Sequence, residues 1–154
     1  MDNKQIRKQL RGSLELKTMW ARLLILVIIV AVVGVIRGFC NYAYEPFWVA
    51  TATIAAVTVT PYLIFCTLRT LMICRRAGDY IFCRVRLTNP HAGLLRDTIA
   101  FSVLVEDPRD QEKFFVDTHA IFSTRGFGLR MEEYNDTHVI VGYNRETRMV
   151  VVMG

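Results

Sequence analysis

Two stretches of this 154-residue chain are almost free of charge, and they constrain it more than any other feature. From Met19 to Ile36 the only charged side chain is Arg22, and from Pro46 to Leu68 there is none. Each reaches the roughly 18 to 25 residues that a helix needs to cross hydrocarbon. A hydrophobic content of 53% is high for one soluble domain of this length, and the excess sits in these runs. They predict transmembrane helices over 19–38 and 46–76, the second extending beyond the bilayer, with an outer turn at 39–45. A cleavable signal peptide is the competing reading, but the segment before the first run is long and no small-x-small pattern follows Ile36. A lipoprotein signal fits poorly as well, because Phe39, not a small residue, precedes Cys40.

Charge orients the hairpin. Lys4, Arg7, Lys8, Arg11, Lys17 and Arg22 stand at its entry against only Asp2 and Glu15, and Arg69, Arg75 and Arg76 stand at its exit. In the connecting stretch "VIRGFCNYAYEPFWV", Arg37 and Glu45 cancel. By the positive-inside bias both termini belong in the cytoplasm, as in a multi-pass protein of a bacterial inner (plasma) membrane. Phe39, Tyr42, Tyr44, Phe47 and Trp48 then ring the outer interface, with Trp20 as their inner counterpart. In the basic segment 1–18, Ile6, Leu10 and Leu14 recur every four residues, which predicts a short helix at the headgroup level. A basic tail is the alternative, since Gly12 and Ser13 interrupt the pattern.

Small residues mark where the helices can approach. Gly34 and Gly38 on the first helix, and Ala52, Ala56 and Thr60 on the second, fall at the same depth of an antiparallel hairpin. These surfaces pack either against each other or against a second copy. Pro46 and Glu45 suit the start of the second helix, and Gly78 is expected in a left-handed conformation past its end. Pro61 frees the carbonyl of Val57, which Thr58 or Thr60 is expected to serve across a kink. Neither run holds the Asp, Glu, Lys or His that an ion or proton pathway needs.

From residue 79 the period changes to two. Ile81, Cys83, Val85 and Leu87 alternate with Tyr80, Phe82, Arg84 and Arg86, and Ile99, Phe101, Val103 and Val105 alternate again. "KFFVDTHAIF", "HVIVGY" and "RMVVVM" continue the pattern, separated by the turn-rich "NPHAG", "DPRDQE", "RGFG" and "YNRET". Five or six short antiparallel strands in residues 79–154 predict a cytoplasmic all-β domain, an SH3-like or OB-like barrel whose closure removes exposed edges. Nine basic and eleven acidic residues give this region a net charge of −2, so the chain's overall +5 belongs to the membrane-flanking segments.

That partition argues against nucleic acid as a partner. "RGFG" matches the start of an RNA-recognition pattern, but the rest fails at Leu129 and Arg130 and the domain lacks a basic field. Catalysis has equally little support. His91, His119 and His138 lie in different elements, and there is no HExxH, no cysteine pair at metal spacing and no GxSxG around Ser123. Asp117 and His119 share one face of an expected strand, and a membrane-surface enzyme using them is the alternative function. Cys40, Cys66, Cys74 and Cys83 are scattered, and Cys83 reads as a small core residue in a reducing compartment. "NDT" at Asn135–Thr137 is a glycosylation sequon that matters only if the domain faces an exporting compartment.

The closing pattern "VIVGYN", a short turn and "MVVVM" resembles that of small bacterial membrane proteins of unknown function, in which one or two membrane helices accompany an SH3-like or OB-like barrel. Those proteins often carry prolines after the Tyr-Asn, where Arg145, Glu146 and Thr147 stand here. The resemblance implies an architecture and no activity. The chain is accordingly expected to be a membrane-anchored protein-interaction or accessory module, not an enzyme, with no cofactor and no metal. A sensor of a cytoplasmic ligand is a further reading. The expected contacts to a protein partner are Arg125, Phe127, Arg130, Tyr134 and Tyr143, because aromatic and arginine side chains are enriched at binding hot spots. The lipid bilayer, and a homo-oligomer formed through the helices, complete the expected partners.

Overall fold

The computed structural model describes residues 3–40, 46–92, 98–106, 113–122 and 134–153. The helices are α1 (Asn3–Arg11), α2 (Leu14–Cys40) and α3 (Pro46–Arg75), and a 3₁₀ turn at Ala77–Asp79 leads into the sheet. The strands are β1 (Tyr80–Ala92), β2 (Thr98–Glu106), β3 (Lys113–Asp117), β4 (Ile121–Phe122), β5 (His138–Asn144) and β6 (Met149–Val152).

Leu14–Gly38 and Val49–Arg75 are long and apolar enough to cross a membrane, and little of either is buried within the molecule. The helices run antiparallel. A Cβ at Gly34 would lie 3.1 Å from Thr51 Cγ2, and near the other end the Trp20 indole N–H donates to Thr70 Oγ1 at 3.2 Å. The side that α3 turns inward is Thr51, Ala55, Val59, Tyr62, Cys66 and Ile73, at the three-to-four spacing of one helical stripe. Ala52, Ala56 and Thr60 sit beside that stripe and are exposed, while Gly38 is half-buried. Of the two glycines read as part of the packing surface, Gly34 closely approaches the partner helix. α3 continues through Pro61. The Thr58 hydroxyl donates to Ile54 O at 2.7 Å and so does not serve the carbonyl of Val57.

The amino-terminal segment is more integrated than its sequence suggests. Gly12 and Ser13 end α1 and start α2, with Gly12 N donating to Gln9 O at 2.9 Å and Lys17 N to Ser13 O at 2.9 Å. α2 therefore begins at Leu14, ahead of the apolar run. Ile6 and Leu10 are buried in one cluster with Ile73, Cys74 and Ala77, so α1 is pinned to the end of α3. Gly78 lies within the 3₁₀ turn and not in a left-handed cap; a Cβ there would meet Asn3 Oδ1 of α1 at 3.3 Å.

The sheet is antiparallel, ordered β3-β2-β1-β5-β6, with β4 also paired to β2. One face buries Val85, Leu87, Phe101, Val103, Val141, Tyr143 and Val150, together with Leu14 from α2. The opposite face, where β1 begins and β6 ends, packs Tyr80 and Val151 onto Leu16, Met19, Leu23 and Ile73 of the helices. Burying such aliphatic side chains stabilises by about 1.5–3 kcal/mol each. At this junction Gly142 leaves room for its neighbours: a Cβ would fall 3.1 Å from Met153 Cε and 3.2 Å from Tyr80 Cδ1.

Six antiparallel strands accord with the expected small β-domain, but the sheet is not closed. His119 N donates to Val150 O at 3.1 Å, a single bond between the β3–β4 corner and β6. Two departures account for the open seam. "KFFVDTHAIF" is not one strand but breaks at Thr118–Ala120, leaving β4 only two residues. Just beyond the end of β6, Met153 is bridged to Ser13, the residue before α2, so the amino-terminal segment meets an edge that closure would otherwise protect. "NPHAG" also differs: β1 runs through Asn89 and Pro90, with the register shifting between Thr88 and His91 and Asn89 at φ 49°. Proline is tolerated at such a bulge because it has no N–H to leave unpaired. "YNRET" is the expected hairpin turn, with Thr147 N donating to Asn144 Oδ1 at 3.1 Å.

Candidate functional site

Two places on the chain concentrate chemistry that packing alone does not require. The first is a charged cluster at the junction of helices and sheet. Glu15 lies in the first turn of α2, where a carboxylate complements the helix dipole. Its Oε1 accepts from Arg69 Nε of α3 at 2.8 Å, and the two side chains are 7% and 21% exposed. The other guanidinium arm donates to His119 Nδ1. Arginine has only donors, so His119 must accept there and carry its proton on Nε2. Burial, and then the Arg69 charge, pull its pKa down to about 4, which keeps the ring neutral at pH 7. Burial pushes the nearby Tyr80 phenol up to about 12, with Glu15 adding to the shift and Arg69 opposing it. Glu15 Oε2 and Ser13 Oγ are buried without a hydrogen-bond partner among the described residues. The triad joins α2, α3 and the β3–β4 corner and acts as a brace between helices and sheet.

The second place is the seam itself. A cleft of about 590 Å³ is lined by Phe114, Phe115, Val116 and Asp117 of β3 on one wall. Tyr143 and the turn residues Arg145 and Arg148 form the other. The rings of Phe114 and Tyr143 meet at 5.4 Å between centroids, tilted by 59°, and form its floor. Phe115 points the other way and is 72% exposed. Its register partner on β2 is Leu104, itself 44% exposed, so two large apolar side chains stand side by side on the outer face. Glu106 and Lys113 flank them as an ion pair at 3.4 Å.

The residues singled out from sequence fall unevenly on this picture. Arg125, Phe127 and Arg130 lie outside the described residues, as do the turn residues Tyr42, Tyr44 and Glu45. Tyr143 is 3% exposed and belongs to the core, contributing to the cleft as its floor. Tyr134 is half-buried against the same core, its carbonyl accepting from Thr137 Oγ1 at 2.7 Å. Asp117 and His119 do not form a pair. Asp117 is exposed, accepts from Ser102 Oγ at 2.8 Å and faces His91 at 3.8 Å, whereas His119 turns inward to Arg69. Cys83 is half-buried against the core, where burial raises its thiol pKa, so it is not a ready nucleophile. Glu15, Arg69, Phe115 and Arg148 were not prominent in the sequence. The one available signal was Glu15, an acid within a basic segment at the entry to an apolar run.

No family model, curated protein or solved structure matches the chain.

Proposed function

We propose that this chain is a two-span protein of a bacterial inner membrane, with both termini in the cytoplasm, and that it works as an anchored protein-interaction module. The helices set location, the buried triad holds the sheet rigidly on them, and the open seam receives the partner. The observation that carries this reading is Phe115, exposed beside Leu104 on the outer face of the strand that walls a cleft lined by Asp117 and Arg148. β3 is an edge strand among the described residues, so an extended acidic segment of a partner can add to it as a strand while its side chains meet Phe115 and Arg148. Protein recognition by strand addition needs main-chain pairing and one or two side-chain anchors, and both are at hand here.

The test places a photoreactive amino acid at Leu104 of the full-length chain in its native membranes. A discrete adduct is expected that Phe115→Ala or Arg148→Glu removes without altering the protein's level. An unchanged adduct pattern in both variants would sink the reading. A reporter that works only in the cytoplasm, fused after Gly154, is expected to be active; activity from a reporter of the opposite compartment overturns the orientation.

A further inference from the structure

A second groove lies at the other end of the charge distribution, where α1 crosses the last turns of α3. Its apolar wall is Leu68, Leu71 and Met72, and its rim is Arg7, Arg11 and Arg75. The sequence arithmetic is helical on both sides: Arg7 and Arg11 are four apart on α1, and Leu68, Leu71, Met72 and Arg75 recur at three and four on α3. The apolar residues are exposed by 52%, 60% and 62%, respectively, like the other outward side chains of the two long helices, and what sets them apart is the arginine rim beside them. The three guanidiniums are exposed and make no ion pair among the described residues, whereas Arg76, just beyond, is engaged with Glu146. α1 is not a loose tail at this point. Ile6 and Leu10 are buried beneath it, so Arg7 and Arg11 are held over the groove in advance of any ligand.

We propose that this groove binds an anionic glycerophospholipid, one acyl chain lying along Leu68, Leu71 and Met72 and the phosphate meeting Arg7, Arg11 and Arg75. The proposal rests on the two-span reading, which puts this end of α3 at the cytoplasmic leaflet. Charge complementarity selects the occupant. The carboxyl end of a helix carries a partial negative charge of about one half, which by itself repels a phosphate. Three guanidiniums around the same point outweigh it and offer paired N–H donors in the geometry that phosphate oxygens accept. A neutral zwitterionic lipid supplies the acyl chain but brings its own cation to the arginines. A free phosphate supplies the charge but leaves the apolar wall bare.

The experiment uses the full chain, purified in a neutral detergent, and counts bound lipid by native mass spectrometry, with thermal unfolding as a second readout. Phosphatidylglycerol is expected to bind one to one and to raise the unfolding temperature, and phosphatidylcholine and inorganic phosphate to do neither. Each arginine changed to glutamine is expected to weaken binding by about tenfold, the effect of one charge-assisted hydrogen bond. Lys4→Gln with Lys8→Gln removes two charges from α1 outside the groove, more than any single arginine change, and is expected to leave binding almost unchanged. Changing all three together is expected to abolish the preference for the anionic lipid; should that variant not fold, Arg11→Gln alone, at an exposed position, gives the same comparison. Equal binding of phosphatidylcholine, equal stabilisation by inorganic phosphate, or an equal loss in the lysine variant each overturns the site. Alkaline carbonate extraction separates the two levels: a chain released from membranes overturns the two-span reading and the site with it. A chain that resists extraction but shows no preference for the anionic lipid overturns the site alone.

Discussion

His119 is largely buried and accepts from Arg69 at Nδ1, and burial first and the Arg69 charge second make its titration depend on folding. Unfolded, the imidazole takes up a proton near 6.5; folded, it does so only near about 4, because burial and the Arg69 charge disfavour the imidazolium. Between those values the unfolded state binds more protons than the native one, so stability rises with pH across the window and falls as pH drops through it. The effect amounts to at most about 3 kcal/mol. His119→Gln removes the group. The wild-type chain is therefore expected to lose unfolding temperature more steeply than the variant between pH 6.5 and 4, with parallel curves above pH 7. Parallel curves throughout would show that the ring titrates normally. Sequence spacing put His119 on one face with Asp117 because it assumed a continuous strand. The strand ends at Asp117, so alternation no longer governs the residue two places on. Arg69, similarly, reads from sequence as one of three arginines near the helix end, and nothing local says that it alone has a buried acid opposite.

At the scale of elements, the hairpin separates residues that look alike on paper. Gly34 faces Thr51 so closely that even a Cβ lies at 3.1 Å, whereas Ala56 is exposed. Gly34→Leu is expected to force the helices apart and destabilise by about 1–3 kcal/mol, the usual cost of overpacking a contact. Ala56→Leu is expected to leave the unfolding temperature of the monomer in detergent unchanged. If the Ala56 substitution is the damaging one, the stripe of Ala52, Ala56 and Thr60 is the true packing face. Composition located both helices well, since length and apolarity are summed over many residues. Which side of α3 turns inward was not legible, because small residues mark possible approach and two adjacent stripes of α3 both contain them. The strands show the same division. Alternation in "YIFCRVRL" identified β1, but at its start both faces are covered, Cys83 and Val85 by one core and Tyr80 by the helices. A two-sided environment created by a distant segment leaves no trace in local periodicity.

Taken whole, the molecule does not divide where its composition does. The change of period after Gly78 suggests a membrane part and a separate β-domain, yet the cores cross that line. Leu14 fills the inner face of the sheet, and Leu16, Met19 and Leu23 share a cluster with Tyr80, Phe122 and Val151. Ser13 bridges to Met153, so the edge of β6 is completed by residues that precede the first long helix. A fragment of residues 79–154 would lose all of these partners at once. It would expose Tyr80, Phe122 and Val151 together with an uncapped edge strand, the combination that leads to aggregation and not to a stable small domain. Such a fragment is expected to give poorly dispersed amide resonances and to bind a hydrophobic dye, while the full chain in detergent unfolds with coincident loss of helix and strand signals. A soluble, well-dispersed fragment would mean that the sheet needs no helix, and the brace of Glu15, Arg69 and His119 would then tie together two units able to fold apart. The expected result has a functional side as well. With buried clusters shared between helices and sheet, a displacement of α3 would reach the β3–β4 corner through Arg69 and His119, and His119 N is bonded in turn to Val150 O of β6.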